Sequence, residues 1–138
     1  MSEKPLISVI MPAHNAGSYI AGAIDSILAQ SFVNFELIII DDGSTDLTGR
    51  IAVDYAGRDS RIKVLVNQDN RGVSSSRNRG IEVAEGQYIA WQDADDIAMP
   101  SRLKLQSDFL DTHPEVGMVG GSLEFFDNTG TKSLREYD

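Results

Sequence analysis

Four short apolar runs, separated by stretches with helical periodicity, constrain this chain more than any other feature. Leu6–Met11 stops at Pro12, Phe35–Ile40 at Asp41-Asp42, Arg61–Val66 follows, and Gln87–Trp91 leads into Asp93-Ala94-Asp95-Asp96. Each has strand length, and the near-continuous hydrophobicity of the first two suits strands buried on both faces of a parallel sheet. Between the first pair, Tyr19, Ile20, Ala23, Ile24, Ile27 and Leu28 share one helical face, with Asn15 as the expected N-cap. Ser44 or Thr45 is expected to cap a second helix that buries Leu47, Ile51 and Tyr55. Gly72 precedes a third helix through Val73, Ile81 and Ala84, which Gly86 stops as the C′ residue. Pro100 opens a fourth helix that runs to about Thr112. Val116–Val119 and Leu123–Phe126 read as strands, with a turn at Asn128-Thr129-Gly130. The alternation implies an α/β fold: a Rossmann-like, mostly parallel sheet flanked by helices, with right-handed crossovers.

Ligands of such sheets bind beyond the carboxyl ends of the strands, near a topological switch point. Polar residues collect at those ends here: His14 and Asn15, then Asp41 and Asp42, then Asp93 to Asp96. Three carboxylates at one strand end repel one another unless a cation joins them. An Asp-x-Asp triplet offers the hard oxygen ligands that suit a divalent metal carrying a diphosphate. The bland alternative is an acidic turn ahead of the helix at Pro100. Arg71, Arg77 and Arg79 flank or open the third helix, whose N-terminal N–H groups already favour an anion, and form a candidate diphosphate clamp. The alternative for Arg77 and Arg79 is pairing with Glu82 and Glu85 at the surface. Asp41-Asp42-Gly43-Ser44 serves equally as a cap turn; as a site, its second Asp is free to accept a hydrogen bond from a base N–H. His14 is either a helix-start residue or a ring that stacks on a flat ligand.

Net charge narrows the partners. The 138 residues carry 21 acidic and 12 basic side chains, a balance of −9, which argues against nucleic acid or an anionic membrane as main partner. Absence of Cys removes disulfides and thiolate zinc, and the two histidines, His14 and His113, lack metal-ligand spacing. No run approaches the roughly 18 apolar residues of a membrane span, and no signal peptide is evident, so the expected compartment is the cytoplasm. Neither a P-loop, nor a dinucleotide fingerprint, nor a nucleophile elbow occurs.

Taken collinearly, Ser8–Asn15, Ser26–Phe32, Glu36–Asp46, Asn70-Arg71-Gly72, Ser76–Ile81, Ala84–Ile89 and Asp93–Asp96 resemble the family 2 glycosyltransferases of the GT-A fold. The resemblance implies inverting transfer of a sugar from a nucleoside diphosphate sugar, most simply a UDP-sugar, to a saccharide or lipid-linked acceptor in polysaccharide or cell-envelope glycan synthesis. It implies nucleotide contacts at Pro12, His14, Asn15, Asp42, Arg77, Asp93 and Ala94. Asp42 would meet the base, Asp93 would lie near the ribose and metal, and Asp95 would bind the divalent metal, Mn2+ or Mg2+. His14 departs from the Tyr or Phe common at that position.

The family's catalytic domains extend well beyond the metal motif, where acceptor contacts and a carboxylate general base reside. Residues 1–138 are therefore expected to form a single nucleotide-sugar-binding domain, the N-terminal part of a longer catalytic domain. The general base is expected outside this chain, with peripheral membrane association through segments beyond it. Glu124 and Asp127 are the acidic residues of the final strands. A donor-binding module without activity of its own is the competing expectation. A receiver-like signalling domain would need a Lys after a late strand, where Gly120-Gly121-Ser122 stands. A nucleotidyltransferase would need a Gly-rich basic loop in place of Pro12–Asn15.

Overall fold

Alternation across the pleat decides how the sheet is covered. In the computed structural model, which describes residues 3–127, 129, 130 and 132–135, strands β1 (Ile7–Ala13) and β2 (Phe35–Asp42) are buried along nearly their whole length. Val9, Met11, Leu37 and Ile39 point to one face, against Ile20, Ala23, Ile24 and Ile27 of helix α1 (Ile20–Leu28) and Ala52 of helix α2 (Thr48–Ala56). Ile10, Ile38 and Ile40 point to the other, against Leu65 of β3 (Ile62–Asn67) and Ala84, just past helix α3 (Val73–Val83). Each fully buried Ile or Leu stabilises the fold by about 1.5–3 kcal/mol, so these two central strands dominate the core.

Strand β4 (Tyr88–Trp91) completes a four-stranded sheet in the order β3-β2-β1-β4, parallel throughout. The chain steps outward from β1 to β3, then crosses back over α3 to lay β4 against the other side of β1. Strand order therefore reverses at β1, and the carboxyl ends of β1 and β4 diverge around a crevice. Helix α3 presses close to the sheet because its inner face is Ser76 and Gly80; a Cβ on Gly80 would sit 2.6 Å from Ile10 Cγ2.

The chain divides into two compact units, Met1–Lys104 and Leu105–Asp138. Helix α4 (Arg102–Thr112) begins in the first and continues in the second, which also holds the antiparallel hairpin of β5 (Leu123–Phe126) and β6 (Lys132–Arg135). No helix among the described residues is long and apolar enough to cross a membrane.

Several local expectations need correction. Asn15 does not cap α1: it takes a positive φ of 48°, which Asn tolerates, and its side chain bonds to the following strand-end loop instead. Neither Ser44 nor Thr45 caps α2; Asp46 Oδ1 accepts the Thr48 N–H at 2.9 Å. Leu47 is 61% exposed, and α2 buries Thr48 and Ala52 in its place. Val73 and Ile81 are likewise exposed on α3, because close approach to the sheet selects small residues on the inner face. Gly86 is not a left-handed C′ residue; its N–H donates to Ser8 Oγ, and a Cβ there would strike the β1 backbone. Val116–Val119 forms no strand. In the expected turn, Gly130 has φ 80° and donates to Asp127 O, while Asn128 lies outside the described residues.

Candidate functional site

Two strand-end loops are braced against each other before any ligand is considered. The Asn15 N–H donates to Ser44 Oγ at 2.9 Å, and Asn15 Oδ1 accepts the Thr45 N–H at 2.9 Å. Asp46 Oδ2 accepts the Gly17 N–H, and Thr48 Oγ1 accepts the Ala16 N–H. His14 Nδ1 lies 2.8 Å from the Asp42 carbonyl oxygen, so in the neutral ring the proton sits on Nδ1 and Nε2 is the acceptor, 3.3 Å from Asn15 Nδ2. The imidazole is thus fixed in orientation while remaining exposed.

The two aspartates ending β2 fall on opposite faces, as strand alternation requires. Asp41 accepts the Ser44 N–H at 3.1 Å and packs where Gly49 leaves room on α2. Asp42 faces α3, only 3% exposed, and is not free as its position in the sequence suggests. Its Oδ1 accepts Asn67 Nδ2 at 2.7 Å and the Arg71 N–H at 2.9 Å, and its Oδ2 accepts the Gly72 N–H at 2.8 Å. The loop 68–72 folds back over the strand end because Gly43 (φ 67°) and Gly72 (φ 90°) adopt left-handed backbone that other residues resist. At Gly43 a Cβ would also lie 2.6 Å from the Asn70 N. Burial alone raises the Asp42 carboxyl pKa; donors on Arg71, Asn67, Gly72 and Ser76 outweigh it and hold the carboxyl below its ordinary value. A carboxylate offers about four acceptor positions. Four donors converge on this carboxylate, which also lines the cleft.

Arg79 leaves the expected clamp. Its Nη1 donates to Val66 O at 2.7 Å and Asn67 Oδ1 at 2.6 Å, which makes it a brace for the amide that holds Asp42. The Arg71 side chain stands exposed, away from the cleft lining. Neither Arg77 nor Arg79 pairs with Glu82 or Glu85; Glu85 pairs with Lys63.

The acidic turn is held by residues that sequence reading passed over. Buried Gln92 donates from Nε2 to the carbonyls of Asp93 and Asp96, and its Oε1 accepts Arg102 Nη1 at 2.8 Å. Arg102 Nη2 also donates to Trp91 O. Gln30 latches the next segment, bonding Met99 O and the Leu103 N–H. Partial desolvation and then the charges of Asp95 and Asp93 raise the Asp96 carboxyl above its ordinary value. Arg77 Nη2 lies 3.1 Å from Asp93 Oδ1, and its guanidinium sits over the Trp91 ring, 5.3 Å from the centroid.

These elements enclose a cleft of about 580 Å³. Pro12, His14, Asn15, Asp42, Arg77, Asp93, Ala94 and Asp95 all line it, so the eight residues to which the resemblance assigns nucleotide or metal contacts converge, while Arg71 and Arg79 of the expected clamp do not join them. Tyr19, Asn70, Gly72 and Val73 line it as well. Tyr19 was expected in the core but is 57% exposed; its place before the first turn of α1, ahead of the buried Ile20, was the available signal. The first turn of α3 brings backbone N–H groups and the positive end of the helix dipole to the same wall.

Among the described residues no three His, Asp or Glu side chains converge as a metal cage. Mg2+ and Mn2+ do not need one: one or two carboxylates, with phosphate oxygens and water, complete an octahedral shell. Exposed Asp95 and Asp93 fit an ion that arrives with a diphosphate.

Known proteins resemble this chain over most of its length. The family model described as "Glycosyl transferase family 2" matches residues 8–137. EpsE of Bacillus subtilis is 43% identical over 136 residues, covering 98% of this chain and 49% of that protein. The Escherichia coli enzyme WfgD, a UDP-Glc:alpha-D-GlcNAc-diphosphoundecaprenol beta-1,3-glucosyltransferase, is 35% identical over 123 residues, covering 89% of this chain and 47% of that enzyme. Staphylococcus aureus TarS, whose structures include complexes with UDP and UDP-GlcNAc, superposes with a TM-score of 0.72 in the UDP complex at 33% identity, covering 78% of this chain and 32% of that one. The chain thus spans about half the length of these two curated relatives.

Proposed function

Because the chain belongs to glycosyl transferase family 2, we propose that it is the donor-binding part of an inverting glycosyltransferase that uses a UDP-sugar. The proposed acceptor is a saccharide or lipid-linked glycan of the cell envelope. One observation carries the proposal: a single cleft gathers His14, Asp42, Arg77, Asp93 and Asp95 from three strand ends and one helix. The solved complexes of TarS with UDP and UDP-GlcNAc favour a uracil nucleotide, and the activity of WfgD favours an envelope glycan as product.

In this reading the base lies against Pro12 and His14, with its imide N–H directed at the Asp42 carboxylate. Asp93 faces the ribose and Asp95 holds a divalent ion, Mn2+ or Mg2+. A bound ion would neutralise charge on the departing diphosphate. Arg77 and the first turn of α3 direct further donors at the phosphates, which strengthens binding most as negative charge builds on the leaving group. Braced loops keep these groups in position without reorganisation during the reaction. The general base that takes the acceptor's proton is proposed to lie beyond residue 138.

Calorimetric titration with UDP, CDP, GDP and ADP, each with Mn2+, with Mg2+ and with a chelator, tests the proposal. UDP should bind tightest and only with a divalent ion. Equal binding in chelator would refute the metal-bridged mode. Turnover of the isolated chain at about 1 s⁻¹ or more, ordinary for an enzyme, would show that the base lies within these residues.

A further inference from the structure

The Arg77 guanidinium occupies an unusual place in the cleft. It contacts Asp93 at 3.1 Å, lies over Trp91, and keeps its Nε buried with no hydrogen-bond partner among the described residues. A guanidinium has five N–H donors; the contact with Asp93 accounts for one, and the buried Nε still wants an acceptor. The side chains of Arg77 and Asp93 are 35% and 51% exposed, so the pair is neither locked in the core nor fully solvated. Asp95 lines the same cleft, and among the described residues no three His, Asp or Glu side chains converge as a cage.

We infer that Arg77 is the internal counter-ion of Asp93 and thereby couples divalent-ion binding to diphosphate binding. An ion arriving alone competes with the guanidinium for Asp93. A nucleoside diphosphate removes that competition by giving Arg77 acceptors of its own, including one for the idle Nε. Stacking on Trp91 keeps the guanidinium at the cleft wall during the exchange, so it swings towards the phosphates instead of leaving for solvent. Arg77 is then a positioning residue for the carboxylate as well as a phosphate ligand. Since coupling is reciprocal, the ion improves diphosphate affinity by the same factor. The inference rests on the nucleoside-diphosphate reading of the cleft.

An Arg77 that only stapled the acidic turn would behave differently: its loss would weaken both ligands together. The test measures Mn2+ affinity without nucleotide, from the free-Mn2+ paramagnetic resonance signal, and UDP affinity with and without Mn2+, by calorimetry. It compares the unaltered chain with Arg77→Gln and Arg77→Lys. Release of a half-exposed ion pair should tighten Mn2+ binding alone by about two- to fivefold in Arg77→Gln. UDP binding in the presence of Mn2+ should weaken, so the factor by which UDP improves Mn2+ affinity falls. Arg77→Lys, which keeps the charge but loses the planar fork, should fall between. Arg50→Gln, which removes the same charge from α2, separates a general field effect and should leave Mn2+ affinity within twofold.

Unchanged or weaker Mn2+ binding in Arg77→Gln, with UDP still binding the unaltered chain, overturns the inference and leaves the proposed function standing. If Arg77→Gln fails to fold, Arg77→Lys decides: Mn2+ binding equal to the unaltered chain overturns the inference. Failure of the unaltered chain to bind UDP and Mn2+ in any combination overturns both.

Discussion

Asp42→Ala should unfold this chain at a markedly lower temperature, which a ligand-binding residue alone would not do. The carboxylate holds three donors at 2.7–2.9 Å, one of them the Asn67 amide, itself buried. Hydrogen bonds to a charged acceptor contribute about 1.5–3 kcal/mol each, while donors that regain water cost little when orphaned. Arg71 and Gly72 lie in an exposed loop and regain water; Asn67 does not. The net loss is therefore about 2–4 kcal/mol, well short of the sum of three bonds. At roughly 4 °C per kcal/mol for a chain of this size, the melting temperature should fall by about 8–16 °C. Asp42→Asn should do little better, because its NH2 meets a donor on either side.

The pH dependence has a definite sign. The folded Asp42 carboxyl sits below its ordinary 3.8, so its contribution is present above that value and lost as pH falls through the lower folded pKa. The gap in melting temperature between the parent chain and Asp42→Ala should narrow below about pH 4. Thermal unfolding by circular dichroism from pH 3 to 7, beside Asp41→Ala, is the assay. A melting temperature within 2 °C of the parent for Asp42→Ala or Asp42→Asn at pH 7 would refute the reasoning.

Other expectations follow from the same geometry. Gly80→Ala should cost about 1–3 kcal/mol by forcing α3 away from Ile10 and Ile40, read as a lower denaturation midpoint at unchanged slope. Asp95→Asn should weaken Mn2+-dependent UDP binding more than Asp96→Asn does; equal losses in calorimetry would move the ion to another carboxylate. Lys63→Met should strand buried Glu36, whose Oε2 lies 2.8 Å from Lys63 Nζ and has no other partner among the described residues. Burial raises the Glu36 carboxyl pKa, and hydrogen bonds from Lys63, Ser8 and the Glu85 N–H overcome it, so the parent pKa is lowered. Without Lys63 the stability deficit should grow as pH rises through about 4.5, and a pH-independent deficit would contradict this.

The sequence by itself determined the sheet and the address of the site. Near-continuous apolar runs can be satisfied only by strands buried on both faces, and polar residues ending those runs must then gather at one rim. Physical periodicity therefore sufficed for β1, β2 and the cleft formed by Pro12, Asp42 and Asp93. Collinear motifs added the family. What tertiary structure alone decided is which polar groups remain available there. Asp42, Arg79 and Asn15 look alike as candidates in one dimension, yet each is engaged by a partner at least 12 residues away: Arg71 and Gly72, Asn67, and Ser44 and Thr45. The same holds for helix faces. Spacing marked Leu47 as inward but it is exposed, and on α3 it is Ser76 and Gly80 that face the sheet, because only small residues allow the helix to approach Ile10. Tyr19, which shares a helical face with Ile20 by spacing, lies exposed at the cleft, and the Gln92 amide, which no spacing marked, is buried. Hydrogen bonds between distant loops carry no periodic signature, so the occupancy of each donor and acceptor emerges only when the chain closes on itself.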